Sequence, residues 1–353
     1  MNRLSKIWSR VAQMDWEERW TRLAQELNKR IDLTLYRCGL LSTQNRVSES
    51  IESRGNFFFS RAELPHLVTA LRSKMGGEVE SIVLEADKIC RHRFRLLGYD
   101  DLDYGPQIDW HLDVAHGKRA PIKPWFKINF LDSNEVGDHK VIWELNRHQH
   151  LVTLAKAWLI TRDERYTSEL KTQWYSWQQA NPYPIGINWA SSLEVAFRSL
   201  SWLWALSLLS DSPALDAKFR SDMIRALALN GRYIERYLST YFSPNTHLLG
   251  EAVALVFIGI MCPEIAAADR DFIFRLSQHQ PAGRPHQKGA AGTPFPDRRV
   301  PLHHLFPAAR VRPDHAGREL HAADPAEIPV RRAVRGGRKM DRLGIFLQTV
   351  RRQ

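Results

Sequence analysis

Long apolar runs are missing from this sequence. No stretch of about 18 consecutive apolar residues occurs, which excludes a transmembrane helix and sets no membrane partner. The basic start, Met1 to Lys6, is followed too soon by Glu17, Glu18 and Arg19 to leave the apolar core of a signal peptide, so the sequence reads as soluble and not obviously exported, and its compartment stays open. Cysteine is scarce. Cys38, Cys90 and Cys262 lie far apart, with no paired spacing, and fit a reducing compartment or simple core packing rather than a disulfide frame or a zinc site.

Tryptophan and tyrosine stop abruptly. All 12 Trp and all 9 Tyr precede residue 266, whereas half of the 18 prolines follow it. The net charge of +11 invites a nucleic-acid reading, but residues 266–353 hold 17 Lys+Arg against 8 Asp+Glu, a net of +9, and the first 265 residues hold 33 against 31, a net of +2. Fifteen of those 17 cations are Arg, and segments such as Pro281-Ala282-Gly283-Arg284-Pro285-His286 have neither helical nor strand period. Arg, Pro, Ala, Gly and His without Tyr or Trp is what a GC-rich gene gives when read out of frame. A frame shift shortly after Glu264 is the expectation, with a genuine disordered basic tail as the alternative. No aromatics interleave with the arginines to stack on bases, so no nucleic-acid partner is expected.

The 353 residues, 44% hydrophobic, suffice for one large domain or two ordinary ones. Residues 10–30 carry apolar residues at helical spacing, ending near Lys29, and 61–95 look like two short helices. From 98 to 140, Gly98, Gly105, Pro106, Gly117, Pro121, Pro124 and Gly137 break the chain into an irregular segment. It is bulky with Tyr99, Trp110, Trp125, Phe126 and Phe130, and is expected to wrap across a helical body. Five helices are predicted beyond it, at about 143–161, 164–180, 189–210, 216–240 and 247–261. Tyr166, Leu170, Trp174 and Trp177 make one apolar stripe, and Leu193, Ala196, Phe197, Leu200, Leu203 and Trp204 make another. Short connections make successive helices antiparallel. The expected class is all-α, either a bundle or an α/α toroid of helical hairpins.

In a toroid the first, third and fifth helices start at the same end, and those starts hold the most unusual polar residues. They are Trp143-Glu144-Leu145-Asn146-Arg147-His148-Gln149-His150, Asn188-Trp189-Ala190-Ser191-Ser192-Leu193-Glu194-Val195-Ala196-Phe197-Arg198 and Ser243-Pro244-Asn245-Thr246-His247-Leu248-Leu249-Gly250-Glu251. Three helix N-termini on one face present partial positive charge and unpaired N–H groups, an arrangement that suits a carboxylate. Plainer readings stand beside this one. Asn188 and Asn245 could be ordinary N-caps, Glu194 and Arg198 a surface i,i+4 pair, and Trp143 and Trp189 core. His148 and His150 point apart on a helix, and His247 with Glu251 lacks a third ligand, so no metal and no cofactor are expected.

At these residues the chain resembles the heparinase II/III-like family. The resemblance rests on Trp143–Leu151 (WELNRHQHL), Asn188–Arg198 (NWASSLEVAFR) and Ser243–Glu251 (SPNTHLLGE), with Phe94–Tyr99, Ile108–His111 and Gly231–Tyr233 in support, and covers roughly residues 90–265. It implies an α/α toroid followed by a β-sandwich domain, and eliminative cleavage of an acidic, uronic-acid-containing polysaccharide such as a glycosaminoglycan or an alginate-like chain. It makes Asn245 the carboxylate-contacting residue and His247 a donor or proton-transfer group, with Arg147, His148, Asn188 and Trp189 lining the cleft. The family's catalytic Tyr lies on a later helix, in a region where this chain has no Tyr, and no sandwich domain is expected here. Residues 1–265 are accordingly expected to form an incomplete toroid domain, possessing family ancestry more than present activity. An α/α glycoside hydrolase using Glu144, Glu194 and Glu251, or a non-catalytic glycan binder, are the competing readings.

Overall fold

The computed structural model of the chain describes residues 13–40, 57–263 and 265, all within the unit Met1–Pro285. The expectations for residues 266–353 lie outside the described residues. Ten α-helices follow in order among the described residues: α1 (Trp16–Arg37), α2 (Leu64–Lys74), α3 (Gly76–Ile89), α4 (Ser133–Val136), α5 (His139–Asn146), α6 (Gln149–Thr161), α7 (Glu164–Ala180), α8 (Ser192–Leu208), α9 (Ala217–Arg236) and α10 (Thr246–Met261). Two small antiparallel hairpins, β1 (Arg93–Leu96) with β2 (Tyr99–Asp103) and β3 (Leu112–Asp113) with β4 (Lys118–Arg119), lie between α3 and α4. The fold is all-α.

The helices alternate between two layers. α8 packs against α6 and α10, which start at the same end, and α6 packs in turn against α3. α7 and α9 form the other layer, joined by Trp174 against Phe219 and by the Tyr175 hydroxyl donating to Asp222 at 2.8 Å. The core between the layers is aromatic: Trp110, Trp158, Trp174, Trp177, Trp189, Trp202, Tyr166, Tyr233 and Phe219 are all buried. A smaller cluster of Ala120, Ile128, Val136, Ile142, Trp143 and Ile187 lies under the irregular segment.

Four of the five helices expected beyond residue 140 appear with shifts of a few residues at their ends, and the first is broken in two. Arg147 ends α5, and His148 takes φ 60°, ψ 26° before α6 begins. A left-handed residue without glycine is costly and persists only where its surroundings hold it. Here the His148 ring is sealed in the core, where Trp202 Nε1 donates to Nδ1 at 2.8 Å. The break turns Asn146 inward, and its amide donates to Ile142 O (2.7 Å) and Trp110 O (3.0 Å).

The 98–140 segment does wrap the helical body. Trp125 N donates to Pro184 O at 3.1 Å and Gly186 N to Lys123 O at 2.9 Å, tying it to the α7–α8 loop. Gly186 has φ 99°, and a Cβ there would lie 2.6 Å from His111 Cε1, so no other residue lets the loop close on this segment.

α1 runs to Arg37, beyond the expected end near Lys29, because no breaker intervenes before Gly39 and because Asp32 pins its last turns. Asp32 is buried and accepts from Tyr183 Oη (2.5 Å), Arg236 Nη1 (2.9 Å) and Arg232 Nη2 (3.2 Å). Removing one member of such a group leaves the others uncompensated, a cost moderated here because both arginines keep some solvent. Asp32→Ala is expected to lower unfolding free energy by about 2 kcal/mol, and Tyr183→Phe by about 1 kcal/mol, both read from denaturant midpoints. Equal midpoints for Asp32→Ala and the wild type would remove α1 from the cooperative unit.

Candidate functional site

The three polar clusters meet at the starts of α6, α8 and α10. Arg147 reaches the first turn of α8, where its Nε and Nη2 donate to the two carboxylate oxygens of Glu194 at 2.6 and 3.0 Å. Its Nη1 donates to Glu144 at 2.6 Å, and the guanidinium lies 5.0 Å from the Phe197 ring. On the other side α10 comes close: a Cβ added to Gly250 would stand 2.6 Å from Leu193 Cδ1. A larger residue at position 250 would have to be met by a turn of the Leu193 side chain, so the starts of α8 and α10 pack closely here.

Asn245 is the N-cap of α10. Its Oδ1 accepts from Ser243 Oγ (3.0 Å), from His247 N (3.4 Å) and from Thr246 Oγ1 (3.4 Å). A backbone N–H can only donate, so the amide oxygen faces the helix and the Nδ2 amino group faces away from it. Nδ2 has no partner among the described residues, and Asn245 is exposed. His247 Nδ1 lies 3.1 Å from Ser243 Oγ and 3.4 Å from Asn245 Oδ1. Since Oδ1 accepts only, Nδ1 carries the hydrogen, and Nε2 is left with its lone pair. Ser243, not singled out in the sequence, thus holds both Asn245 and His247; its place in the Ser-Pro-Asn string was the available signal.

The other expected cleft residues are placed differently. His148, Asn188 and Trp189 are interior, and this corrects the expectation that they line an open cleft. Asn188 is no cap, since Ser191 caps α8. Its Nδ2 donates to Trp110 O (3.0 Å) and Asn181 Oδ1 (2.8 Å), while Trp189 Nε1 donates to Asn181 O (3.2 Å) and the Trp189 carbonyl accepts from the Tyr233 hydroxyl. With Asn146 these residues stitch the irregular segment to α5 and to the α7–α8 loop. Aromatic bulk makes the difference, because Trp110, Trp177 and Trp202 close over His148. Arg147 stays partly exposed, with its donors committed to Glu194 and Glu144.

Arg198 is buried rather than half of a surface pair. Its guanidinium lies 4.3 Å from the Trp177 ring, 5.1 Å from Trp189 and 5.9 Å from Trp202, and Nη1 donates to Asn188 O at 3.3 Å. Burial draws its pKa down to about 9, which leaves it charged at neutral pH. Glu251 is buried too. Its carboxylate accepts from Ser239 N (2.8 Å) and Ser239 Oγ (2.6 Å), fixing the loop before α10, and burial raises its pKa. Burial also raises Glu144. Among the described residues no group of three His, Cys, Asp or Glu could hold a metal, and no helix is long and apolar enough to cross a membrane.

With this geometry described, comparison with known proteins is informative. The model of the heparinase II/III N-terminus matches residues 3–272. The chain belongs to that family. A heparin-sulfate lyase of Bacteroides stercoris is 25% identical over 205 residues, 52% of this chain and 27% of the relative. Crystal structures of the heparan sulfate lyase HepC from Pedobacter heparinus are also similar. A mutant form gives a TM-score of 0.45 at 25% identity, covering 56% of this chain and 28% of that one. The unmutated form gives 0.44 at 22%, covering 62% and 33%. The chain thus spans between about a quarter and a third of the length of these relatives.

Burial of the histidines has a consequence for pH. His148 stands well below the usual imidazole range, and burial holds His150 down to about 3. Both stay neutral when folded and take up a proton near pH 6.5 when unfolded, so their contribution to stability is full above about 6.5 and falls as pH drops below it. His92 runs the other way. Its hydrogen bond to Glu169 raises its pKa, giving stability that is full below about 6.5 and lost as pH rises through the folded value. Unfolding free energy is therefore expected to fall from pH 6.5 to pH 5 by up to about 1.4 kcal/mol per pH unit for each of the two buried rings, a window in which the His92 contribution stays constant. His150→Gln should flatten that slope, and an unchanged slope would count against a neutral buried ring.

Proposed function

We propose that this chain carries the charge-neutralising part of a polysaccharide lyase that cleaves uronic-acid-containing acidic polysaccharide by β-elimination. Heparin- and heparan-like chains lead as substrates because the relatives above are heparin and heparan sulfate lyases; alginate-like chains follow by the same uronate chemistry. The observation that carries the reading is the exposed Asn245 amide, its Nδ2 without a partner among the described residues, beside His247 at a helix N-terminus, in a member of this family.

The chemistry follows from those two groups. Asn245 Nδ2 donates to the uronate carboxylate, and the first turn of α10 adds its partial positive charge. Neutralising the carboxylate acidifies the hydrogen on the adjacent ring carbon. The lone pair of His247 Nε2 takes that proton; the electrons of the broken C–H bond form the ring double bond, and the glycosidic oxygen departs with its bonding pair and takes a proton from water, the hydroxide so formed being neutralised by the His247 imidazolium. Arg147 supports the site by joining the α5–α6 break to α8, since its donors are already committed. His148, Asn188 and Trp189 act as positioning residues beneath it. The hydrolase reading has little support, because Glu144 and Glu194 share one arginine and Glu251 is taken by Ser239.

Residues 1–265 form, on this proposal, part of an α/α toroid, and residues 266–353 do not belong to it. The composition change at 265 and the end of the family match at 272 support that boundary.

The test pairs two readouts on the whole chain. Calorimetry with a heparan oligosaccharide should show binding that weakens at least tenfold in Asn245→Ala. Ultraviolet absorbance should report an unsaturated product, with turnover reduced about 100-fold in Asn245→Ala and in His247→Ala. Saturated products would indicate hydrolysis, and binding without turnover would indicate a glycan binder. Binding unaffected by Asn245→Ala would refute the assignment of the site.

A further inference from the structure

The first helix is built inside out. The residues of α1 that meet the helical body are polar: Arg22 donates to Tyr241 O at 3.3 Å, Gln25 to Leu238 O at 3.4 Å, and Lys29 Nζ lies 5.2 Å from the Trp125 ring. Asp32 completes this face with its buried arginine and tyrosine partners. The opposite face is apolar and open. Trp16 is 74% exposed, Trp20 60%, and Leu23, Leu27 and Ile31 are each 50% exposed. At about 100° per residue these five fall in one stripe roughly 80° wide. A surface helix ordinarily turns such a stripe to the core, and a contiguous exposed one marks a contact site.

We propose that this stripe is the seam of a homodimer, in which α1 pairs antiparallel with α1 of a second copy of this chain about a two-fold axis beside Gln25. Three features of the helix select this occupant. The stripe repeats at steps of three and four residues, which suits side chains set into the holes of a facing helix. It is graded in size, with two tryptophans near the N-terminus, then leucines, then Ile31 and the exposed Thr34. Setting Leu23 against the partner's Leu27 brings Trp20 beside the partner's Ile31 and Trp16 beside the partner's Thr34, large against small. A parallel pair would stack indole on indole.

Charge favours the same arrangement. The first turn is acidic, with Glu17 and Glu18, and the last is basic, with Arg37. Antiparallel pairing lays each acidic end beside a basic one and opposes the helix dipoles, whereas parallel pairing sets like beside like. Asp15 and Glu17, on either side of Trp16, also disfavour an anionic lipid surface at that end. The five side chains offer roughly 600 Å² per copy, so the pair would remove about 1,200 Å² from water, the lower range for a specific interface.

Analytical ultracentrifugation of the full chain at micromolar concentration should show a reversible dimer. Leu23→Glu with Leu27→Glu should raise the dissociation constant at least 100-fold, with an unchanged circular dichroism spectrum because neither side chain packs into the body. Leu23→Glu with Leu27→Lys separates the orientations: antiparallel pairing sets Glu against Lys and preserves a salt-sensitive dimer, while parallel pairing sets Glu on Glu and Lys on Lys. A wild type monomeric throughout, or a dimer that survives the double-Glu change, overturns the seam. A monomeric Glu/Lys variant overturns the antiparallel register. A monomeric wild type that binds anionic vesicles through Leu23 and Leu27 assigns the stripe to lipid and overturns the proposal.

Discussion

A guanidinium without a carboxylate sits at the centre of this fold. Arg198 is enclosed by Trp177, Trp189 and Trp202, and its one hydrogen bond among the described residues runs to the carbonyl of Asn188. A buried cation is tolerated when ring faces and carbonyl dipoles replace the water it has lost. That condition explains why so much aromatic surface gathers here; the burial it brings is what first keeps His148 neutral, with His150 and the Arg198 charge acting in the same direction. Moving any of the three indoles would strip the charge of one of the few groups that face it in an apolar interior. The cage therefore fixes the ends of α7, the turn before α8 and the middle of α8 relative to one another.

The exposed site inherits its geometry from that arrangement. α8 is held by the cage along its length and by Arg147 at its first turn. α10 is held against α8 by close approach at Gly250, and its loop is held by Glu251 on Ser239. Asn245, at the start of α10, is exposed, whereas His148, Asn188 and Trp189 at the other two starts are buried and Arg147 is partly exposed with its donors taken. The sequence placed three polar clusters on one face as equals; burial separates them.

What was legible in the residues and what was not follow a physical divide. The helical stripes of α7 and α8 were legible because their period is local, and the capping role of Asn245 because Ser-Pro-Asn ahead of an apolar run is a local pattern. The break at His148 left no mark, since a left-handed histidine is held there by Trp202, 54 residues away. Asn188 and Trp189 looked like a polar rim because burial is decided by Trp110 and Tyr233, which arrive from distant segments. The inverted orientation of α1 was likewise hidden: amphipathic spacing predicts a helix, but the choice of which face docks was made by Asp32 and its partners on α9.

The close approach at Gly250 has an evolutionary reading. A methyl group added at position 250 would press on the tip of Leu193, a side chain that can turn aside, so the contact couples the two positions rather than locking them. On the proposed function, a larger residue at 250 together with a smaller one at 193 would reset the packing beside Asn245 and His247 without moving either helix. The glycine and the leucine thus form a matched pair, in which a change at one is absorbed at the other.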